Sequence, residues 1–137
     1  MEVRGIVIHN TNAPNMSADD LYRYIEKVST GSNGCHYIVD HKKVRKVMPE
    51  DWCCFNTGMG MDFGNTQCIA VEICTHLNTN LYLQGQTRAI GLIRDIMKRH
   101  NLTKKDIYFH RDFNRHINCP AQILAMYKTK AEFLKLI

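Results

Sequence analysis

The run Cys68 to Cys74 (CIAVEIC) is the most apolar strand-like segment of the chain, and it carries a glutamate near its middle. Side chains on a strand alternate between faces, so Ala70, Glu72 and Cys74 share one face and Ile69, Val71 and Ile73 the other. Removing a carboxylate from water without a partner is costly. Two arrangements accommodate Glu72. One is an edge strand whose glutamate faces solvent. The other is a site that holds the carboxyl with a raised pKa, fit for proton transfer.

The segments around this run define the fold class. Val3 to His9 (VRGIVIH) reads as a buried strand ending in a histidine, with Val7 and His9 on one face. Ser17 has the character of a helix cap, with Asp19 and Asp20 in the first turn and Leu21, Ile25 and Val28 as the apolar stripe. Ser29 to Gly34 ends that helix. Cys35 to Asp40 and Val44 to Met48 are two further strands, close enough for an antiparallel hairpin. Asp51 to Thr66 has little periodicity and reads as a long loop, a kind of segment that often carries function. Gln84 to His100 is the longest helix, with Ala89, Ile90, Ile93, Ile96 and Met97 on its buried side. A strand ending in His110, a helix from Pro120 and a last short helix within 129–137 complete the chain. Strands alternating with helices, plus one hairpin, predict an α/β fold: a central mixed β-sheet flanked by helices.

At 137 residues the chain is expected to form one domain, 1–137, with a single core. No apolar run approaches the roughly 20 residues of a membrane span. The N-terminus runs straight into a strand-like segment, which predicts synthesis in the cytoplasm without a signal peptide. Six cysteines without a C-x-x-C pair point to buried free thiols in place of a disulfide framework or a zinc ribbon. The net charge of +5 suits an anionic partner such as nucleic acid or a wall polymer. The basic residues are scattered, however, so a solvated surface is at least as good a reading. No nucleic-acid or membrane partner is expected, and the chain is expected to be a monomer.

The chemistry concentrates in Ile107-Tyr108-Phe109-His110 and Asn118-Cys119-Pro120. Proline favours the first position of a helix, which would make Cys119 the cap and lower its thiol pKa in the positive field of the helix N-terminus. A neutral imidazole and a thiolate are good zinc ligands, and His9, at another strand end, supplies a third. Open three-ligand sites leave a position for water, and Glu72 would serve beside them as base and acid. His36, inside a strand, reads as a packed or edge residue. His41, His76 and His100 sit in turns or helix ends and are expected to face solvent.

Four segments together resemble the type-2 amidase family of zinc-dependent N-acetylmuramoyl-L-alanine amidases, which includes phage endolysins and peptidoglycan recognition proteins. They are Ile6-Val7-Ile8-His9-Asn10-Thr11, His36-Tyr37-Ile38-Val39-Asp40, Ile69-Ala70-Val71-Glu72-Ile73-Cys74, and His110-Arg111-Asp112-Phe113 with Asn118-Cys119-Pro120. They occur in the family's order and cover most of the chain, and the V-E-I-C strand is similar to the endolysin branch. The resemblance implies Zn2+ held by His9, His110 and Cys119, with Glu72 as the catalytic glutamate. The implied substrate is peptidoglycan, cut between N-acetylmuramic acid and L-alanine, with action on the wall after release from the cell. Alternatives within the same fold are a non-catalytic peptidoglycan-binding module and an amidase acting within the stem peptide. Many relatives carry a lysine where this chain has Ile117, which leaves Arg115 or His116 as substitutes for holding the oxyanion. Trp52-Cys53 stands where relatives often have Trp-His, and Cys35 where an aromatic residue is common.

Overall fold

The computed structural model of the chain describes residues 1–28 and 34–137. Five strands form one sheet: β1 (Gly5–Asn10), β2 (Tyr37–Val39), β3 (Val44–Lys46), β4 (Cys68–Ile73) and β5 (Ile107–Phe109), in the order β3-β2-β4-β1-β5. β2 and β3 pair antiparallel as the expected hairpin, while β2–β4, β4–β1 and β1–β5 are parallel. Parallel neighbours need crossover connections, and helices supply them. In chain order the helices are α1 (Ala18–Val28), α2 (Phe63–Gln67), α3 (Thr79–His100), α4 (His110–Phe113), α5 (Ala121–Tyr127) and α6 (Lys130–Leu134). The expected mixed sheet covered by helices is the fold observed. None of the described helices is long and apolar enough to cross a membrane.

The alternation read from CIAVEIC separates two cores. Ile69, Val71 and Ile73 join Ile6, Ile8, Ile107 and Phe109 beneath α3, α5 and α6, where Ile93, Ile96, Ile123 and Phe133 are fully buried. On the opposite face Ala70 and Cys74 pack with Ile38, Cys35 and the α1 side chains Ala18, Leu21 and Ile25. β4 lies between β2 and β1, so the edge-strand arrangement for Glu72 is excluded.

Several boundaries differ from the sequence reading. α3 begins at Thr79, five residues before Gln84, because the Asn78 side chain accepts the N–H groups of Asn80 and Leu81. Val28 is not part of a buried stripe but is 56% exposed. Most of the break expected at Ser29 to Gly34 lies outside the described residues. The long loop contains α2, capped by Asp62, which runs directly into β4. α6 is shorter than the expected final helix and is capped by Thr129. Ser17 accepts the N–H of Asp20, as expected of a cap. The start of α1 is also held by Asp40, whose carboxylate takes the N–H groups of Ala18, Lys42 and Lys43.

His100 does not simply face solvent. Its Nε2 lies 2.6 Å from the Glu50 carboxylate, which also accepts the Tyr37 hydroxyl and an Arg99 guanidinium N–H at 2.5 Å each. Burial acts to raise the Glu50 pKa, but these three donors outweigh it and hold the carboxyl down at about 2. A group with a depressed folded pKa stabilises the fold above its unfolded value and loses that contribution as pH falls toward the folded one. The stability difference between wild type and Glu50→Gln is therefore expected to be full at neutral pH. It should shrink as pH drops from about 4.5 toward 2, read as the gap in Tm between the two proteins.

Candidate metal and catalytic site

Parallel pairing carries the reactive side chains to one end of the sheet. The β1–β4 register sets His9 beside Glu72, with His9 Nδ1 3.9 Å from Glu72 Oε1. β5 pairs with the other edge of β1 up to Ile8–Phe109, so the next residue, His110, emerges next to His9. The two imidazole centroids are 4.7 Å apart. Carboxyl ends of parallel strands are where open α/β sheets place their ligands.

Cys119 arrives from the opposite side, on the loop between α4 and α5. Its Sγ lies 3.8 Å from His9 Nδ1, and its carbonyl accepts the N–H of Arg111. The residue after His9 fixes this approach: Asn10 Oδ1 accepts the N–H groups of Gln122 and Ile123 at 3.0 Å each. The Asn10 amide also donates to the Ile73 carbonyl and the Tyr82 hydroxyl. Asn10 therefore caps α5 from across the molecule. Cys119 is not the cap residue; Pro120 is, one position later. Nor is the thiol's pKa lowered: burial pushes Cys119 up to about 12. A bound cation is what would favour the thiolate here.

The donor set fits a tetrahedral metal. One donor atom from each of His9, His110 and Cys119 lies within 4.8 Å of the other two. Bonds of about 2.1 Å to nitrogen and about 2.3 Å to sulfur would separate two tetrahedral ligand atoms by about 3.6 Å, close to the 3.8 Å between Cys119 Sγ and His9 Nδ1. The ring tautomers suit this arrangement. His9 Nε2 donates to Asn56 Oδ1 at 2.9 Å, and His110 Nε2 donates to the Thr57 carbonyl at 3.1 Å. Each bond leaves the Nδ1 lone pair free for a cation, as second-sphere partners of metal-bound histidines do. Burial lowers the His9 pKa to about 4 and also lowers that of His110, where the neighbouring His9 adds to the effect. Both rings are neutral near pH 7.

Glu72 completes the site. Its Oε2 is buried without a hydrogen-bond partner, and burial raises its carboxyl to about 7, against a smaller opposing pull from His110. The group can both take and release a proton near neutrality. Glu72, His9, His110 and Cys119 open into a cavity of about 510 Å³ whose walls include Leu21 and Ile25 of α1, Ile117 and Ala121.

Arg115 and His116 are exposed and do not line this cavity. The Ile117 N–H bonds to the Asn114 carbonyl, and the His116 N–H to the Asn114 side chain. That turn brings Ile117 to the cavity wall, while the two basic residues lie outside it. His36 is packed, as expected: Nδ1 accepts the Ala70 N–H and Nε2 donates to the Trp52 carbonyl, both at 2.9 Å. Neither nitrogen is left for a ligand. Sequence reasoning missed Asn10, Asn56 and Thr57. The one signal for the last two was their place in the long loop.

Comparisons with known proteins bear on the family and the fold. A sequence profile described as Amidase_2, N-acetylmuramoyl-L-alanine amidase, matches residues 1–122. No curated protein sequence matches the chain. Among solved structures, the catalytic domain of XlyA is similar in fold, with a TM-score of 0.86 and 24% identity over 98% of this chain and 86% of that one. PlyL is similar with a TM-score of 0.84 and 25% identity, over 99% of this chain and 84% of that one. A mutant endolysin from Bacillus subtilis follows with 0.82 and 26%, over 98% and 84% of the respective chains. With the profile spanning all four reactive residues, the chain belongs to the N-acetylmuramoyl-L-alanine amidase family.

Proposed function

We propose that the protein is a zinc-dependent N-acetylmuramoyl-L-alanine amidase that hydrolyses the amide joining N-acetylmuramic acid to L-alanine in peptidoglycan. The observation that carries this reading is the convergence of two neutral imidazoles and a thiol beside a carboxylate with an unpartnered oxygen. His9, His110 and Cys119 would hold the ion. Bound there, zinc supplies Lewis acidity, polarising a carbonyl and lowering the pKa of water to about 7. Glu72 accepts the proton of the attacking water at its free oxygen and returns it to the departing alanine nitrogen. A carboxyl near 7 is matched to both transfers. A thiolate ligand gives more charge to the metal than a third imidazole would, which makes a separate base more necessary. Arg115 and His116 lie outside the cavity wall, so the reading gives neither a contact with the reacting carbonyl.

The similarity to an endolysin from Bacillus subtilis supports a role in lysing cell wall, as a phage or prophage enzyme acting after release from the cytoplasm. In this reading the protein acts as a monomer. A binding module without catalysis would have no need for a carboxylate poised at about 7 beside three donors.

Mass spectrometry of digested wall is expected to show free N-terminal L-alanine on released stem peptides. Cuts at another amide would favour a stem-peptide amidase, and uncut fragments would sink the catalytic reading. Glu72→Gln is expected to keep its zinc while activity falls by about 10²–10⁴-fold; full activity would place the base elsewhere. Cys119→Ser is expected to lose zinc affinity, and normal retention would count against the ligand set. The base must be deprotonated to act, so wild-type kcat/KM should rise with pH along a limb at or below pH 7, because a cation near Glu72 lowers its pKa from about 7. That limb should vanish in Glu72→Gln. Alanine at Arg115 or His116 should change kcat/KM by less than about tenfold, about one step on a scale of 1.36 kcal/mol.

A further inference from the structure

We propose that Asn65 is a positioning residue that sets the orientation of both metal-ligating imidazoles at once, through the loop segment Asn56-Thr57. The proposal rests on the metal reading above.

Asn65 is fully buried and its hydrogen-bonding capacity is used inside the loop. Its Oδ1 accepts two consecutive backbone N–H groups, from Asn56 at 2.6 Å and Thr57 at 2.9 Å. Its Nδ2 donates to the Gly60 carbonyl at 2.6 Å. Its own N–H bonds to Asp62 Oδ1 and its carbonyl accepts the Cys54 N–H, so its main chain is held on both sides. The two residues it grips are the two that hold the imidazoles: Asn56 by its side chain on His9, Thr57 by its carbonyl on His110.

The surrounding contacts leave this segment little freedom to find another arrangement. Asn56 Nδ2 donates to the Cys54 carbonyl at 2.7 Å, which turns its Oδ1 toward His9. Thr57 Oγ1 donates to Asp62 at 2.8 Å. A Cβ at the neighbouring Gly64 would lie 2.5 Å from Thr57 Cγ2 and 2.9 Å from Phe113, so only glycine allows α2 to come this close to the loop. The position needs one oxygen facing two N–H groups and one N–H facing a carbonyl. An amide of this length supplies both. Aspartate keeps the acceptor but turns an oxygen on the Gly60 carbonyl, and alanine leaves two backbone donors without their partner.

Zinc affinity, measured by competition with a chromophoric chelator, and the imidazole 15N shifts of metal-free protein test this together. Asn65→Ala is expected to weaken zinc binding by about 10–100-fold, the usual effect of losing second-sphere support. Its His9 and His110 rings should change from the Nε2–H tautomer to a mixture. Asn65→Asp should fall between alanine and wild type. Ile96→Val, in the core beneath the opposite face of the sheet, should lower Tm without moving either readout. An Asn65→Ala protein with wild-type zinc affinity and unchanged ring shifts overturns the proposal. If alanine prevents folding, Asn65→Asp with wild-type values overturns it in the same way. A wild type that takes up no zinc defeats the metal reading separately, and the ring shifts then decide the role of Asn65.

Discussion

The parallel pairing of β1 with β4 on one side and β5 on the other decides where His9, Glu72 and His110 stand. It sets His9 against Glu72 by register and ends β5 so that His110 comes out beside His9. A one-residue slip of β4 would turn Glu72 to the opposite face, among Ile69 and Val71's present partners, because side chains alternate. The apolar residues guard against that slip. Ile6, Ile8, Ile69, Val71 and Ile73 fill the core beneath α3, and only the observed register buries all of them together. The same packing that stabilises the sheet therefore aligns the chemistry.

Polar groups in the site are held by other polar groups. Asn10 carries the cysteine's helix to the histidine's strand, and Asn56 and Thr57 fix the rings. Glu72 is the exception, with one buried oxygen left unpartnered. Buried polar atoms are nearly always paired, so an orphan beside His9, His110 and Cys119 marks a group kept ready for something that is not part of the chain. Stability elsewhere offsets such an arrangement: the Glu50 cluster ties the chain after β3 to β2 and to the end of α3, away from the cavity.

Much of this was legible in the residues. His9, Glu72 and His110 stand out because each is a polar residue in or at the end of an apolar run, where periodicity leaves few interpretations. The mixed sheet and the hairpin followed from the same runs. Cys119 was legible as a candidate ligand, but its surroundings were not: its position before proline suggested a helix cap, whereas Asn10, distant in sequence, supplies the capping oxygen. Asn56, Thr57 and Asn65 act through side-chain to main-chain bonds within an irregular loop, where no period exists to reveal them. Arg115 and His116 were basic residues in the right segment, yet one turn at Asn114 leaves Ile117 at the cavity wall instead. His100 looked solvated because its partner, Glu50, is remote in the chain.

The central claim is that His9, His110 and Cys119 bind one metal ion with a position left open. X-ray absorption at the zinc edge on the purified, zinc-loaded protein tests it most directly. The expected spectrum has one sulfur at about 2.3 Å and two imidazole nitrogens at about 2.0–2.1 Å, with a further light-atom ligand from solvent. A zinc shell without sulfur, or one with several sulfurs drawn from the other cysteines, would contradict the account.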